Sequence, residues 1–355
     1  MNRYEILKKL VSFNTINDKE NNKIIKYIAD ILEKRGFIIE YVSDKNNNKC
    51  LIAKSKKECE IAFIGHSDTV SASDGWITNP FELVKKDSKL FGLGVCDMKG
   101  GIAAFLESLN NISLDKLKKG IMIIITFDEE INFGGVKLIK DRKDIPKTLI
   151  IGEPTDAKVL ISSKGCIEYE ATFYGKTAHS SFMVLGDNAI LKTIKFIDDI
   201  SVLNNSFIND LNENFTTSYT TNNISIIEGG TCINKVPDKC KLLFDFRTVH
   251  ESHNEIIINE VERLANKYKA NLKLITNINP FNNLNKNKIK IIENITESKS
   301  SGANYATEGN FFGKKDIFII GPGPITAHQE NEYIEIESFN KMIDIYQKII
   351  EKFCN

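Results

Sequence analysis

Several features are missing from this 355-residue sequence, and each absence excludes a class of protein. The 47 Lys and Arg residues balance the 47 Asp and Glu residues, so no excess of positive charge indicates nucleic acid as a partner. No stretch approaches the roughly 18 uncharged apolar residues of a membrane span. The start of the chain is a charged amphipathic pattern without the apolar core of a signal peptide. We therefore expect neither a membrane segment nor a nucleic-acid site.

Cysteine pairs and arginine are also scarce. The seven cysteines are odd in number and scattered, and none of them forms a CxxC pair. This spacing argues against a zinc–thiolate site and favours a reducing cytoplasm. Only five of the 47 basic residues are arginine, so Arg247, within a predicted strand, stands out because lysine cannot supply the same planar two-pronged donor.

Hydrophobic periodicity predicts an α/β domain that is interrupted by a smaller one. Apolar strands alternate with helices up to residue 162 and again from 279 to 355, a pattern typical of a mostly parallel sheet covered by helices. Between residues 163 and 278 the strands alternate polar and apolar residues, which indicates a sheet with one wet face. We therefore assign 1–162 and 279–355 to one domain and 163–278 to an inserted α+β domain.

Acidic and imidazole side chains follow the predicted strands. His66 and Asp68 end an apolar segment, and alternate residues of an extended chain point to the same side. Asp68 is therefore expected to orient His66, as a carboxylate does for a metal-bound imidazole. Later segments contribute, in turn, Asp97, Glu129 with Glu130, Glu153 and His328. Each alone is explained as readily by a helix cap or a satisfied polar group, but five segments that end at one edge of an α/β sheet favour a ligand site.

Two imidazoles and three carboxylates without a thiolate suit zinc or a similar divalent ion, and a shared carboxylate allows two ions roughly 3.5–4 Å apart. The predicted ligands are His66, Asp97, Glu130, Glu153 and His328. The neighbouring Glu129 then remains free to act as a general base, taking the proton of water that the ion acidifies and passing it to a leaving nitrogen.

Seven motifs occur in order through the chain: HSD at 66–68, GLGVCDMKGG at 92–101, EE at 129–130, GEPT at 152–155, GKTAHSS at 175–181, GGTCINKVP at 229–237 and the late His328. Together they resemble the M20 family of zinc-dependent amidohydrolases and peptidases. The resemblance implies a zinc-peptidase-like catalytic domain that holds one or two Zn²⁺ ions, with Co²⁺ as a substitute, and an inserted lid that forms a homodimer.

The same resemblance implies roles for individual residues. Asp97 bridges the ions, His179 steadies the tetrahedral oxyanion from the partner subunit, and Asn234 and Arg247 reach the substrate. From the residues alone, two interpretations of Arg247 stay open. It pairs with Asp245 on the same face of its strand, or it binds the carboxylate of a substrate in a two-pronged arrangement.

Within the family, the runs HSDTV at 66–70, NYATE at 304–308 and GPGPITAHQENEY at 321–333 resemble members that deacetylate N-acetylornithine. This implies a small-molecule N-acyl amino acid as substrate and a place in arginine biosynthesis, with acidic Glu308 as a hypothetical partner for the cationic side chain. The alternatives are a succinyl-diaminopimelate desuccinylase, another aminoacylase or dipeptidase, or a non-catalytic metal-binding protein on the same fold. The retained Glu129 beside a full ligand set argues against the last alternative.

Overall fold

The computed structural model describes residues 4–355, which form two compact units. The larger unit comprises the described residues up to Ile161 together with Asn283–Ser301 and Thr307–Asn355, and the smaller comprises Ser162–Asn282 and Gly302–Ala306. The first helix begins at Glu5. No helix among residues 4–355 has the length and apolar character needed to cross a bilayer.

The first stretch of the larger unit contains these elements: α1 (Glu5–Val11), α2 (Asn21–Glu33), β1 (Ile38–Ser43), β2 (Lys49–Lys54), β3 (Cys59–His66), β4 (Val84–Lys86), β5 (Lys89–Phe91), α3 (Lys99–Ser108), β6 (Gly120–Thr126), α4 (Glu129–Asn132), α5 (Gly134–Ile139), β7 (Thr148–Ile151) and β8 (Leu160–Ser163), which runs into the smaller unit. The smaller unit continues with β9 (Gly165–Tyr174), α6 (Ala189–Asn205), β10 (Thr221–Gly229), β11 (Lys239–Thr248), α7 (Glu251–Tyr268), β12 (Asn271–Ile278) and β13 (Phe281–Asn282). The chain ends with α8 (Lys286–Thr296), β14 (Ser301–Ala303), β15 (Asp316–Ile319), β16 (Tyr333–Glu335) and α9 (Ile336–Cys354). Short 3₁₀ turns lie at Leu109–Asn111, Leu114–Lys116, Ser180–Leu185 and Glu308–Phe312.

The larger unit is organised around a twisted sheet in which β1, β2, β6, β3, β7 and β15 lie side by side in that order. The strands from β6 to β15 run parallel, and β1 and β2 extend the sheet in antiparallel pairing. Every residue of β6, β7 and β15 is buried, because helices cover the sheet and α3 packs on α9. The predicted mostly parallel α/β fold class is confirmed.

Parallel strands bring their carboxyl ends to one edge, and that edge positions the site. In the sheet register His66, the last residue of β3, lies opposite Thr126, the last residue of β6. Helix α3 approaches the same edge closely: a Cβ on Gly101 would come within 2.1 Å of the Gly152 carbonyl oxygen. Only glycine therefore allows the first turn of α3 to lie beside the end of β7.

The smaller unit is built on an antiparallel sheet with the strand order β10, β11, β9, β12. Buried and partly exposed residues alternate along β11, as expected for a sheet with one covered face. Aromatic and aliphatic residues of the sheet, α6 and α7 form the core, with the rings of Phe196 and Phe244 in edge contact 5.7 Å apart.

Candidate metal centre

The shared acid of the predicted site, Asp97, lies between the two predicted imidazole ligands. Its Oδ1 is 3.1 Å from His66 Nε2, and its Oδ2 is 3.5 Å from His328 Nε2. The side chain is largely buried in the turn before α3. One carboxylate therefore faces both imidazoles with different oxygens, which is the arrangement a bridging ligand requires.

The side of the centre around His66 is deep. Glu153 follows β7, and its Oε1 lies 3.8 Å from His66 Nε2. Glu129, which begins α4 after β6, has its Oε2 4.0 Å from the same nitrogen. All three side chains are at most 10% exposed, so this group is shielded from bulk water.

The side around His328 is the rim. His328 Nε2 lies 3.1 and 3.0 Å from the two carboxylate oxygens of Glu130, and the His328 side chain is 54% exposed. Ligand atoms of His66, Asp97 and Glu130 all lie within 4.8 Å of one another. The structure thus brings together all five predicted ligands, with Glu129 near His66 and the adjacent Glu130 in contact with His328.

Asp68 anchors the deep side. His66 Nδ1 lies 3.1 Å from the Asp68 backbone carbonyl oxygen and 3.4 Å from its carboxylate Oδ1. The other carboxylate oxygen accepts a hydrogen bond of 3.1 Å from the Glu130 N–H. Asp68 therefore orients the imidazole through its backbone as well as its side chain, and it also holds the start of α4.

Burial and like charges dominate the electrostatics of the centre. Burial raises the pKa of Glu129 and of Glu153 well above the usual range, and the Asp97 charge adds to both shifts. Burial opposes charge on His66, but hydrogen bonding to Asp68 and Asp97 raises its pKa well above the ordinary value. The same His66 contact lowers the pKa of Asp97 despite its burial.

This donor set fits divalent cations. Carboxylate and imidazole ligands without thiolate are those that zinc and similar ions accept. Four mostly buried carboxylates around two imidazoles also need compensating positive charge, which a divalent ion supplies. The distances divide the ligands into two groups that share Asp97: His66 with Glu153, and Glu130 with His328.

Comparison with known proteins agrees with this chemistry. The family model of peptidase family M20/M25/M40 matches residues 62–352. The chain belongs to the M20 family. Two proteins named acetylornithine deacetylase, from Buchnera aphidicola subsp. Schizaphis graminum and subsp. Acyrthosiphon pisum, are 32% and 31% identical over 99% of this chain and 97% of their own length.

Solved structures show the same fold. Aminopeptidase PepT from Bacillus cereus has a TM-score of 0.81 at 21% identity and covers 100% of both chains. The M20 family metallo-carboxypeptidase Sso-CP2 from Sulfolobus solfataricus also has a TM-score of 0.81, at 17% identity and 99% coverage of both chains. The predicted M20 family membership is confirmed and with it the general class of hydrolase; the metallopeptidases of this family use metal ions.

The remaining residues that the M20 resemblance singled out lie in the smaller unit. The Ser181 N–H donates to His179 Nδ1 at 3.2 Å, and the Ser180 N–H donates to the Asn234 carbonyl oxygen at 3.0 Å. His179 and Asn234 therefore belong to two paired loops. Arg247 Nε donates to Asp245 Oδ1 at 3.0 Å. The structure therefore contains the ion pair that was the first of the two interpretations of Arg247. Roles for these residues toward a substrate stay predictions.

Glu308 lies in the larger unit at the start of a 3₁₀ turn and is fully buried. Burial raises its pKa to about 7, and the charges of His66 and Asp68 also act on it. Its carboxylate is therefore enclosed by protein in this conformation. The hypothesis that it meets a substrate side chain stays a prediction.

An acidic cavity beside the centre was not predicted from the sequence. It has a volume of about 190 Å³, and its lining includes the carboxylates of Asp18, Asp68, Asp128 and Glu130. The Asp128 N–H donates to Asp18 Oδ1 at 3.3 Å, and burial raises the pKa of Asp18 to about 7. The only sequence signal was the turn-forming pair Asn17–Asp18, which does not by itself indicate a site.

Proposed function

We propose that this M20 hydrolase removes the acetyl group from N-acetylornithine, giving ornithine and acetate in arginine biosynthesis. The observation that carries the proposal is the position of Glu129 beside the five predicted ligands: its Oε2 lies 4.0 Å from His66 Nε2, whereas both carboxylate oxygens of the neighbouring Glu130 lie within 3.1 Å of His328 Nε2. Full-length similarity to two proteins named acetylornithine deacetylase supports the choice of substrate.

The residues of the centre divide the work of hydrolysis. His66, Asp97 and Glu153 would hold one Zn²⁺, and Asp97, Glu130 and His328 would hold a second, with Co²⁺ as a substitute. A divalent ion in such a site polarises an acyl oxygen and lowers the pKa of water. Glu129 takes the proton of the attacking water and then gives it to the leaving nitrogen. Burial raises the pKa of Glu129, which makes its carboxylate a stronger proton acceptor.

A homodimer formed through the smaller unit is part of the proposal. The segment after His179 exposes four consecutive apolar side chains: Phe182, Met183, Val184 and Leu185, each 62–87% exposed. Such a contiguous apolar surface is typical of a contact with another protein. In the proposed dimer His179 would stabilise the oxyanion of the partner's substrate, while Asn234 and Arg247 would bind substrate. We place the protein in the cytoplasm because its seven cysteines are all free.

The acidic cavity supports a substrate with a cationic side chain. Asp18 and Asp128 line it next to the metal ligand Glu130, and both are only partly buried. A substrate ammonium group would be attracted to these carboxylates and would offset their mutual repulsion. Fully buried Glu308 is less accessible to such a group, so we assign the contact to Asp18 and Asp128 first.

A panel of substrates tests the function. The metal-loaded protein is assayed with N-acetylornithine, N-acetylmethionine, N-succinyl-diaminopimelate and a dipeptide, and we expect the highest kcat/KM for N-acetylornithine. Preference for the succinylated substrate or the dipeptide would establish the corresponding alternative. Absence of hydrolysis with a full complement of metal would favour the non-catalytic alternative.

Two charge-removing variants test side-chain recognition. Asp128→Asn should lose roughly tenfold or more in kcat/KM for N-acetylornithine, because an interaction with a charged group is lost, and little for neutral N-acetylmethionine. Glu308→Gln is the matched comparison within the same unit. Equal losses for both substrates in either variant would exclude that residue from contact with the ammonium group.

A further inference from the structure

Glu332 is a buried acid that is neither one of the five predicted metal ligands nor the predicted general base. Its residue is only 2% exposed and directly precedes β16. Its Oε2 accepts a hydrogen bond of 2.8 Å from the Gly94 N–H. Its Oε1 accepts two more, of 2.6 Å from the Cys96 N–H and 3.0 Å from the Asp97 N–H. One side chain thus binds three backbone donors of the turn that carries the shared ligand.

Three donors that converge on one carboxylate define the path of that turn. Gly94 adopts a positive φ of 75°, a conformation that glycine accepts without strain. Because the Asp97 N–H is itself held, Glu332 restrains the backbone from which the Asp97 side chain projects. The position of both Asp97 oxygens relative to the two imidazoles depends on that restraint.

The backbone around Glu332 reinforces the contact. Its carbonyl oxygen accepts a hydrogen bond of 3.1 Å from the Gly92 N–H, and the next residues pair with β5 in antiparallel register. The Thr326 hydroxyl donates to the Tyr333 carbonyl oxygen at 2.6 Å and accepts from the Tyr333 N–H at 3.0 Å. This closes the loop that carries His328. The segment around Glu332 therefore connects the loop that carries His328 with the turn that carries Asp97.

A carboxamide at this position cannot satisfy all three donors. Both Glu332 oxygens are in use, so a carboxamide would turn its NH₂ group toward at least one backbone N–H. Burial raises the pKa of Glu332 to about 7, and the hydrogen bonds from the Gly94, Asp97 and Cys96 N–H groups oppose that rise because they favour the carboxylate form.

We propose that Glu332 is a positioning residue that orients Asp97 through the N–H groups of Gly94, Cys96 and Asp97, and thereby sets the affinity of the centre for a divalent cation. The inference rests on the proposed function only in taking Asp97 as the shared ligand.

The experiment is a titration of metal-free protein with Zn²⁺ against a competing chelator, for the wild type and Glu332→Gln. Outer residues that orient metal ligands typically contribute 10–100-fold in affinity, and we expect a loss of roughly that size. Glu335→Gln, three residues on and exposed, is the matched control and should bind Zn²⁺ like the wild type. Thermal unfolding of the metal-free proteins separates a folded variant from an unfolded one.

Wild-type Zn²⁺ affinity in folded Glu332→Gln would overturn the proposal. If that variant does not fold, Glu332→Asp replaces it: it keeps the charge but shortens the reach, so reduced affinity in the folded protein supports the proposal and unchanged affinity overturns it. The titration contains no substrate. A protein that fails to hydrolyse N-acetylornithine would therefore contradict the proposed function without affecting this result.

Discussion

The two imidazoles of the centre occupy opposite environments. His66 ends a buried parallel strand, its side chain is 1% exposed, and both ring nitrogens have close partners. His328 lies on a loop with a positive φ of 61°, and its side chain is 54% exposed. The sheet therefore holds the predicted ligand on the deep side, whereas the predicted ligand on the rim depends on the loop and on its contact with Glu130.

A centre built in this way can be held firmly on one side while its other side stays adjustable. A ligand at the end of a strand is held by the sheet, so it keeps its position when the surface moves. Ordering a ligand on a loop costs more conformational entropy. We expect the deep group to bind its ion more tightly than the rim group. Asp97, whose N–H donates to Glu332, belongs to both the deep group and the rim group.

The largest effect is expected when the adjacent residues Glu129 and Glu130 are replaced in two separate variants. Glu129→Ala should keep fold and metal but lose turnover by roughly 10²–10⁴-fold, because no other group replaces the general base. Glu130→Ala should instead lose the rim ion. Turnover of N-acetylornithine and metal content by mass spectrometry distinguish the two variants. Turnover like the wild type in Glu129→Ala would remove this residue from the mechanism.

A smaller effect is expected when each imidazole is removed in turn. His66→Ala leaves the buried acids Asp68 and Asp97 without their partner, so it should lower the free energy of unfolding of the metal-free protein by about 1–3 kcal/mol. His328→Ala, at an exposed position, should change it by about 0.5 kcal/mol or less. Urea unfolding measures both values, and metal content should show one ion retained in His328→Ala. Equal destabilisation would contradict the distinction between the two sides.

The deep side could be predicted from the sequence because its causes are local. Apolar runs such as Ile121–Thr126 predict buried strands, and parallel strands deliver the residues that follow them to one edge. The sequence therefore predicts that Glu129 and Glu153 lie close to His66.

Other features depend on tertiary approach and leave no periodic pattern. Glu332 is one acid in a polar run, and its partners lie more than 230 residues earlier in the chain. Asp18 comes from the loop between α1 and α2, far in sequence from the strands whose ends it meets. The strands β4, β5 and β16 have three residues each, which is too short for a hydrophobic period to appear.

The smallest effect concerns pH and the rim. Hydrogen bonding to Glu130 raises the pKa of His328 to about 9 in the metal-free protein, above the value of about 6.5 in an unfolded chain. A folded pKa above the unfolded one means that the stabilisation is complete below pH 6.5 and is lost as pH rises through 9. Because the side chain is half exposed, solvent screening limits the effect to roughly a few tenths of a kcal/mol.

Urea unfolding of chelator-treated protein at pH 6 and 9.5 measures this effect. Between the two pH values the wild type should lose more free energy of unfolding than His328→Asn. Burial raises the pKa of Glu308 and of Glu332 to about 7, but both acids are present in the two proteins and cancel in the comparison. Identical losses would mean that the His328–Glu130 contact contributes nothing to stability without metal, and that the rim is ordered only by the ion it binds.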